Sequence, residues 1–261
     1  MAGQVGPFSL AFLRYAIGAA CLLSVVAATR PFPRFAARDL APIALLGTLQ
    51  FGALIALLNF GLARIPAGQG ALLFATFPLL TQLLAALLGR EKLTSVKLGG
   101  VLLTLAGVAV ALGGGGRSGG TDPAGCLAVL AAALSGAVCS VFYRRFLQRY
   151  PALPVSALAM LASVVALAGP AIGSEDLLGA VRALRGGGWA AVLFIGVSSG
   201  VGYVLWLWAL GRATPTQVTV FLSLSPVTAI LLGAALLGEP VPPATMPGLA
   251  CLVVGFWLTS R

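Results

Sequence analysis

Two prolines interrupt long apolar stretches of this sequence at positions where a missing hydrogen bond has consequences. Pro78 and Pro226 each lack a backbone N–H, so the carbonyl four residues earlier loses its helical partner. Because an unpaired carbonyl is costly in lipid, each turn must face protein, a hydroxyl or a wet cavity. Paired interruptions in corresponding helices indicate a solute-binding site inside a membrane, and the alternative is a packing kink satisfied by neighbouring helices.

Polar and aromatic side chains also lie inside the apolar stretches. An amide facing lipid is costly, so we expect most of them either to line a cavity or to bond helix to helix. Gln69 and Gln217 recur near helix starts, where free N–H groups favour an anionic ligand group such as a carboxylate. Tyr203 and Trp206 form either a wall for a planar or cationic solute or part of the core. The candidate cavity-lining residues are Arg14, Gln50, Asn59, Gln69, Thr76, Pro78, Tyr203, Trp206, Gln217, Ser223 and Pro226.

Charged residues inside the apolar stretches are few. Arg14 lies well inside one stretch, where it either snorkels to the interface or meets an anionic group of a solute. Glu91 and Glu239 end their stretches at repeated positions and are predicted to anchor turns beside Arg or Lys. No carboxylate lies near the middle of a stretch, so the sequence does not indicate a buried acidic proton relay.

The composition argues against most enzyme chemistry. The chain has no His, which removes His-based catalysis and His metal ligation. Its four cysteines lie in separate apolar stretches without CxxC spacing and are predicted to pack as small apolar residues. We therefore expect no catalytic residue, metal or cofactor. The net charge of +10 comes from short clusters between apolar runs, so we expect a lipid bilayer rather than nucleic acid as the partner.

The elements that must position these side chains are membrane helices. The 261 residues are 59% hydrophobic and only 8% charged, where a soluble domain carries about 25% charged residues. Apolar runs of about 20 residues match the thickness of a bilayer, and they lack the alternation of barrel strands. The predicted spans are nine: about 8–28, 41–62, 67–88, 95–112, 124–143, 155–172, 189–210, 215–237 and 243–258.

A shift of 148 residues brings the two halves of the chain into register. It pairs Gln69 with Gln217, Pro78 with Pro226 and Glu91 with Glu239, without a gap. We predict a first repeat over 1–112, a Gly-rich linker over 113–123 and a second repeat over 124–261. The span 124–143 has no counterpart before Met1, so we expect that the first helix of repeat one is missing from this sequence.

Charge placement predicts the orientation in the membrane. A complete repeat would have five spans, which is an odd number. The second copy therefore enters the bilayer from the opposite side, and the repeats are predicted to be inverted. One orientation places eleven Lys and Arg residues in cytoplasmic connections against four outside. The positive-inside rule then puts the C-terminus in the cytoplasm.

Several motifs resemble the EamA domain of the drug/metabolite transporter superfamily. They are the segments 65–73, 77–79, 88–94 and 97–108 in the first half, and 215–217, 225–227, 237–240 and 247–255 in the second. The resemblance implies an all-α polytopic membrane protein with two inverted repeats of five transmembrane helices around a central cavity. It also implies a secondary exporter of a small metabolite or amino acid, working by alternating access in a bacterial inner membrane.

The missing first helix leaves an alternative open. The chain would then be an incomplete, non-transporting membrane protein that pairs with another subunit. Saturable solute flux distinguishes the two, because only a transporter produces it. The sequence leaves substrate, direction, coupling ion and oligomeric state open, with a homodimer among the alternatives.

Overall fold

The computed structural model describes residues 6–29, 34–111, 122–173, 175, 177–225, 228, 232, 235 and 245–260. Over these residues every regular element is a helix. Six helices in this part of the chain are long and apolar enough to cross a membrane, and two shorter ones are also apolar. The prediction of a polytopic helical membrane protein is therefore confirmed.

Eight of the nine predicted spans coincide with these apolar helices. The six long ones are Phe8–Ala28, Ala37–Leu62, Gln69–Leu87, Pro123–Leu147, Ala152–Gly173 and Gly186–Arg212, and the shorter ones are Ser95–Val110 and Met246–Thr259. The predicted span 215–237 is described continuously only as far as residue 225. The count of nine spans thus stays a prediction.

Twelve α-helices follow one another along the described residues. They are α1 Pro7–Ala28, α2 Ala37–Thr48, α3 Leu54–Leu62, α4 Ala67–Phe74, α5 Phe77–Leu87, α6 Ser95–Ala111, α7 Pro123–Leu147, α8 Ala152–Gly173, α9 Leu177–Ala183, α10 Gly186–Arg212, α11 Pro215–Val220 and α12 Thr245–Ser260. A π-helical segment, Leu49–Ala53, joins α2 to α3, and a 3₁₀ helix, Phe221–Leu224, follows α11.

The helices form two compact units, and each unit contains helices from both halves of the sequence. Unit 1 comprises Met1–Gly52 and Phe142–Arg212, and unit 2 comprises Ala53–Val141 and Ala213–Arg261. These units are a different division of the chain from the repeats over 1–112 and 124–261. The repeat boundaries and the linker over 113–123, which falls largely outside the described residues, stay predictions.

In unit 1, α1 packs against α8 and α10, and α2 packs against α8. Small residues allow the backbones to approach closely, as is usual between membrane helices. A Cβ atom added to Gly18 of α1 would lie 3.1 Å from the carbonyl oxygen of Gly196 in α10. One added to Gly47 of α2 would lie 2.7 Å from the Cα of Ala159 in α8. Glycine is therefore required at Gly47, and a side chain at Gly18 would require its neighbours to shift by a few tenths of an ångström.

In unit 2, α6 and α12 pack closely in antiparallel directions. A Cβ atom on Gly100 would lie 2.8 Å from the carbonyl oxygen of Gly255, and one on Gly107 would lie 2.7 Å from that of Gly248. The partner numbers fall as the α6 numbers rise, which is the pattern of an antiparallel pair. Two glycines on each helix thus make one contact surface.

Candidate functional site

The helix carrying Pro78 is broken where the sequence predicts an interruption. Helix α4 ends at Phe74 and α5 begins at Phe77, because Pro78 cannot donate to the Phe74 carbonyl and its ring crowds that oxygen. The hydroxyl of Thr76 donates to the carbonyl of Leu73 at 2.6 Å. A threonine hydroxyl therefore does serve the break, although it bonds a carbonyl one residue before the expected one.

The counterpart span is irregular at the matching place. Helix α11 ends at Val220, and the tighter 3₁₀ helix Phe221–Leu224 follows it. A shift of 148 residues lays that 3₁₀ helix on residues 73–76, which include the break between α4 and α5 at Ala75 and Thr76. A 3₁₀ stretch in the middle of a helix often marks a functional hinge or a sequence under strain. Pro226 itself lies outside the described residues.

The two irregular segments line one cavity in unit 2, which we call the broken-helix cavity. Its volume is about 220 Å³, and its walls are Ala71, Phe74, Ala75, Pro78, Leu222, Ser223 and Ser225. Ser223 is 2% exposed, and its hydroxyl has no hydrogen-bond partner among the described residues. A buried hydroxyl without a partner is costly, so this one is available to a bound solute.

A buried amide lies one turn beyond Pro78 and was not among the predicted site residues. Gln82 is 1% exposed, and within the described part of the chain neither atom of its amide has a hydrogen-bond partner. Residues four apart share a helix face, so Gln82 lies on the same face of α5 as Pro78. An amide inside an apolar span, one turn after a proline, is the sequence signal that could have identified it.

Arg14 forms a second candidate site, in unit 1. Its Nε atom donates to the hydroxyl of Ser199 at 2.6 Å, and that hydroxyl donates to the carbonyl of Ile195. The guanidinium lies 5.0 Å from the ring centre of Tyr15. Both contacts are with neutral groups, and no carboxylate pairs with Arg14 among the described residues. A guanidinium inside an apolar span without a counter-charge suits an anionic ligand group.

Four aromatic rings form a ladder next to Arg14. The ring centres of Tyr15 and Phe51 are 4.6 Å apart, those of Phe51 and Tyr203 are 4.4 Å apart, and those of Tyr143 and Tyr203 are 6.2 Å apart. Phe51 belongs to the π-helical segment, and such segments occur often at functional sites. The ladder places the predicted residue Tyr203 in a buried aromatic cluster, which gives unit 1 a rigid wall.

The remaining predicted residues are more scattered. Gln50 is partly buried in the π-helical segment, Asn59 is exposed near the end of α3, and Trp206 is partly buried in α10. Gln69 lies in α4, where its Nε2 atom is 3.5 Å from the sulfur of Cys126. None of these four lines the broken-helix cavity.

Gln217 has a clear structural contact. It forms a capping box with Thr214, in which the Gln217 N–H donates to the Thr214 hydroxyl and the Gln217 Oε1 accepts from the Thr214 N–H. It also lines a second cavity in unit 2, of about 430 Å³, beside Phe221 and Trp257. Both of those side chains are more than half exposed, so this cavity opens on an apolar outer face.

Glu91 and Glu175 accept hydrogen bonds from backbone N–H groups, and within the described part of the chain neither forms an ion pair with a basic side chain. Glu91 accepts a hydrogen bond from the N–H of Thr216 at 3.2 Å, which ties the end of α5 to the start of α11. Glu175 lies beyond α8 and accepts from the N–H groups of Phe8 and Ser9 at the start of α1. Burial raises the pKa of the Glu175 carboxyl, but these N–H groups outweigh it and leave that pKa lowered. Glu239 lies outside the described residues.

The described residues contain no group of three or more His, Cys, Asp or Glu side chains able to hold a metal ion. The candidate sites offer hydrogen-bonding groups, one guanidinium and aromatic walls.

Comparison with known proteins agrees with a transport role. The EamA-like transporter family matches residues 1–113 and 123–261. The chain is 33% identical over 246 residues to the "Probable terminal-alkyne amino-acid exporter" of Streptantibioticus cattleyicolor, covering 93% of this chain and 80% of that protein. It is 26% identical over 238 residues to the "Probable amino-acid metabolite efflux pump" of Salmonella typhimurium, covering 86% and 79%.

A solved crystal structure is also similar. It matches 98% of this chain and 89% of its own, with 28% identity and a TM-score of 0.84. The family match covers nearly the whole chain, and the apolar helices fit it. The chain belongs to the EamA-like transporter family and is an integral membrane protein with the features of a transporter rather than an enzyme.

Proposed function

We propose that this protein is a secondary exporter of an amino acid or a similar small metabolite, working by alternating access between two inverted repeats. The observation that carries the proposal is the broken-helix cavity. There, two spans that correspond in the two halves of the chain are both irregular and line the same space. Irregular backbone at membrane depth is tolerated where it lines a cavity, and transporters use such segments to bind their solutes.

The glycine contacts of α6 and α12 support the inverted-repeat part of the proposal. A shift of 148 residues turns Gly100 into Gly248 and Gly107 into Gly255. The contact of Gly100 with Gly255 therefore becomes the contact of Gly248 with Gly107, which is the other contact observed. Such reciprocity between antiparallel helices is expected of two copies with opposite orientations. We propose in addition that the repeats have the five-helix design that the family resemblance implies, with nine spans in this sequence.

Arg14 supports a solute that carries a carboxylate. Its guanidinium has neutral partners alone among the described residues, so a bound carboxylate would supply the missing charge. The two named relatives have names that refer to amino acids, which fits a carboxylate-bearing solute. The predicted excess of basic residues on one side favours a cytoplasmic C-terminus in a bacterial inner membrane.

A counterflow experiment tests the function directly. The full chain is reconstituted into phospholipid vesicles that are preloaded with unlabelled amino acids, purines or cationic dyes. We expect saturable uptake of the matching labelled solute into vesicles preloaded with amino acids. Absence of saturable flux with all three classes would contradict the proposal.

Two serine variants test the cavity. Ser223→Ala removes a buried hydroxyl that is open to solute, whereas Ser140→Ala removes one that bonds its own helix at Gly136. A neutral hydrogen bond contributes about 0.5–1.5 kcal/mol, so Ser223→Ala should raise KM about two- to twelvefold. Ser140→Ala should leave KM within about twofold, and equal effects of the two changes would argue against the cavity as the binding site.

A further inference from the structure

A large cavity at one end of unit 1 lies apart from the sites described above. It has a volume of about 580 Å³ and lies between the α7–α8 connection and the end of α10. Its walls combine basic side chains, Arg149 and Arg212, with apolar ones, Leu147, Leu207 and Trp208. We call it the arginine cavity.

The charge around the arginine cavity is strongly positive. The segments 34–39, 144–152 and 207–212 carry six arginines and one carboxylate, Asp39. That carboxylate is 4% exposed and is already engaged by the hydroxyl of Tyr150 at 2.8 Å and by Arg149 at 3.6 Å. Tyr150 also bonds the N–H of Ala36, which holds the first two segments together. These three segments therefore carry a net excess of five positive charges, and two of the six arginines, Arg149 and Arg212, line the cavity.

The positively charged guanidinium of Arg212 is held at the wall of the arginine cavity. Its guanidinium stacks over the ring of Trp208 at 4.1 Å from the ring centre, which leaves its N–H edges directed sideways. The Arg149 side chain is 57% exposed, so its remaining N–H groups are accessible. Guanidinium groups bind phosphate oxygens in pairs of hydrogen bonds, and two of them line this one cavity.

An apolar stripe leads along α10 to the same cavity. Phe194, Val197, Val201, Leu205 and Trp208 are spaced three or four residues apart, and each is between 42% and 73% exposed. That spacing puts them on one face of the helix, and four residues further along the same face is Arg212. A ligand that follows this face would have an apolar tail and an anionic end.

We propose that the arginine cavity binds the head group of an anionic phospholipid, with its acyl chains along the exposed stripe of α10. Basic pockets at the ends of membrane helices are suited to such head groups. A free phosphate ion would meet the same arginines but would gain nothing from the stripe. The proposal does not depend on the transported solute.

The test measures lipid binding by the full chain in detergent with native mass spectrometry. The probes are phosphatidylglycerol, zwitterionic phosphatidylcholine and inorganic phosphate. The variants are Arg149→Gln with Arg212→Gln, and as a matched control Arg64→Gln. Arg64 also stacks on an aromatic ring, that of Phe60 at 3.5 Å, and its side chain is 42% exposed, but it does not line the cavity.

We expect the wild-type chain to prefer phosphatidylglycerol over phosphatidylcholine, and the double variant to bind phosphatidylglycerol about 30-fold more weakly. That ratio is about 2 kcal/mol at 1.4 kcal/mol per tenfold. The control should bind like the wild type. If the double variant does not fold, the single variants serve instead: Arg212→Gln should bind phosphatidylglycerol more weakly than Arg212→Lys, which keeps the charge, and Arg212→Lys more weakly than the wild type. Equal binding by wild type and variants, equal binding of both lipids, or full displacement by inorganic phosphate would each overturn the proposal.

Discussion

The glycine contact between α6 and α12 gives a prediction whose size follows from the coordinates. In a Gly100→Ala variant the new methyl carbon would lie 2.8 Å from the carbonyl oxygen of Gly255 and 2.9 Å from the backbone N of Thr259. Both are backbone atoms, so neither can rotate away, and the helices must separate. Overpacking of this kind costs about 1–3 kcal/mol.

The neighbouring Gly99 is a matched control. It is exposed on the same helix, and nothing lies within 4 Å of an added Cβ. Each substitution adds the same stability from the higher helix propensity of alanine, about 1 kcal/mol. The difference in free energy of unfolding between the two variants therefore measures the packing cost alone. Unfolding in mixed micelles with increasing dodecyl sulfate should place Gly100→Ala about 1–3 kcal/mol below Gly99→Ala in free energy of unfolding. Equal stabilities would refute the close contact.

Three further predictions concern single side chains. Arg14→Gln should raise KM for an amino acid about ten- to hundredfold, because a charged hydrogen bond contributes about 1.5–3 kcal/mol. Arg14→Lys keeps the charge and should raise that KM less. In the Arg14→Gln variant, KM for the matching decarboxylated amine should not change, because the amine has no carboxylate for Arg14 to bind. Thr214→Ala should lower the free energy of unfolding by about 1 kcal/mol, because it removes the capping box at α11, and denaturant titration measures this. The pKa of Glu175 is lower in the folded protein than its ordinary value of 4.5. The stability that its carboxylate adds to the fold is therefore complete when the pH is above 4.5, and it is lost as the pH falls through the lowered pKa. A Glu175→Gln variant should lack this loss of stability at acid pH in a series of unfolding curves. An unchanged pH dependence would contradict the hydrogen bonds from the N–H groups of Phe8 and Ser9 to the Glu175 carboxylate.

The helices and one of their breaks could be predicted because these depend on local chemistry. Apolar length determines which segments can cross a bilayer, and eight predicted spans match described helices. Pro78 predicted its break because the missing N–H and the ring act on its own helix. The same reasoning could not place Thr76 exactly, since its hydroxyl could reach more than one nearby carbonyl and bonds that of Leu73.

Side-chain partners across helices were much less predictable. Gln217 was predicted to line a solute cavity because of its position near a helix start, yet that same position allows it to cap its own helix. Gln82 was not selected, although it is buried without a partner among the described residues. In both cases the residue type and depth are visible in the sequence, but the direction of the side chain depends on which helices pack around it.

The mixing of sequence halves in each compact unit could not be read from the repeat either. A repeat detected by a shift says which segments correspond, and it does not say which segments pack together. The pair α6 and α12 illustrates this, because both helices lie in unit 2 although they come from different halves.

The reciprocal contacts also bear on how an exporter could alternate. If the repeats were parallel, Gly100 would be expected to contact its own counterpart, Gly248, and Gly107 to contact Gly255. The contacts observed instead join Gly100 to Gly255 and Gly107 to Gly248. Two copies of opposite orientation can exchange their conformations, and that exchange converts a cavity open to one side of the membrane into one open to the other. Both helices of this pair lie in unit 2 and touch through backbone atoms, so we expect them to move as one body. A disulfide introduced across α6 and α12 away from the glycine contacts should leave flux intact, and a block of flux would contradict this expectation.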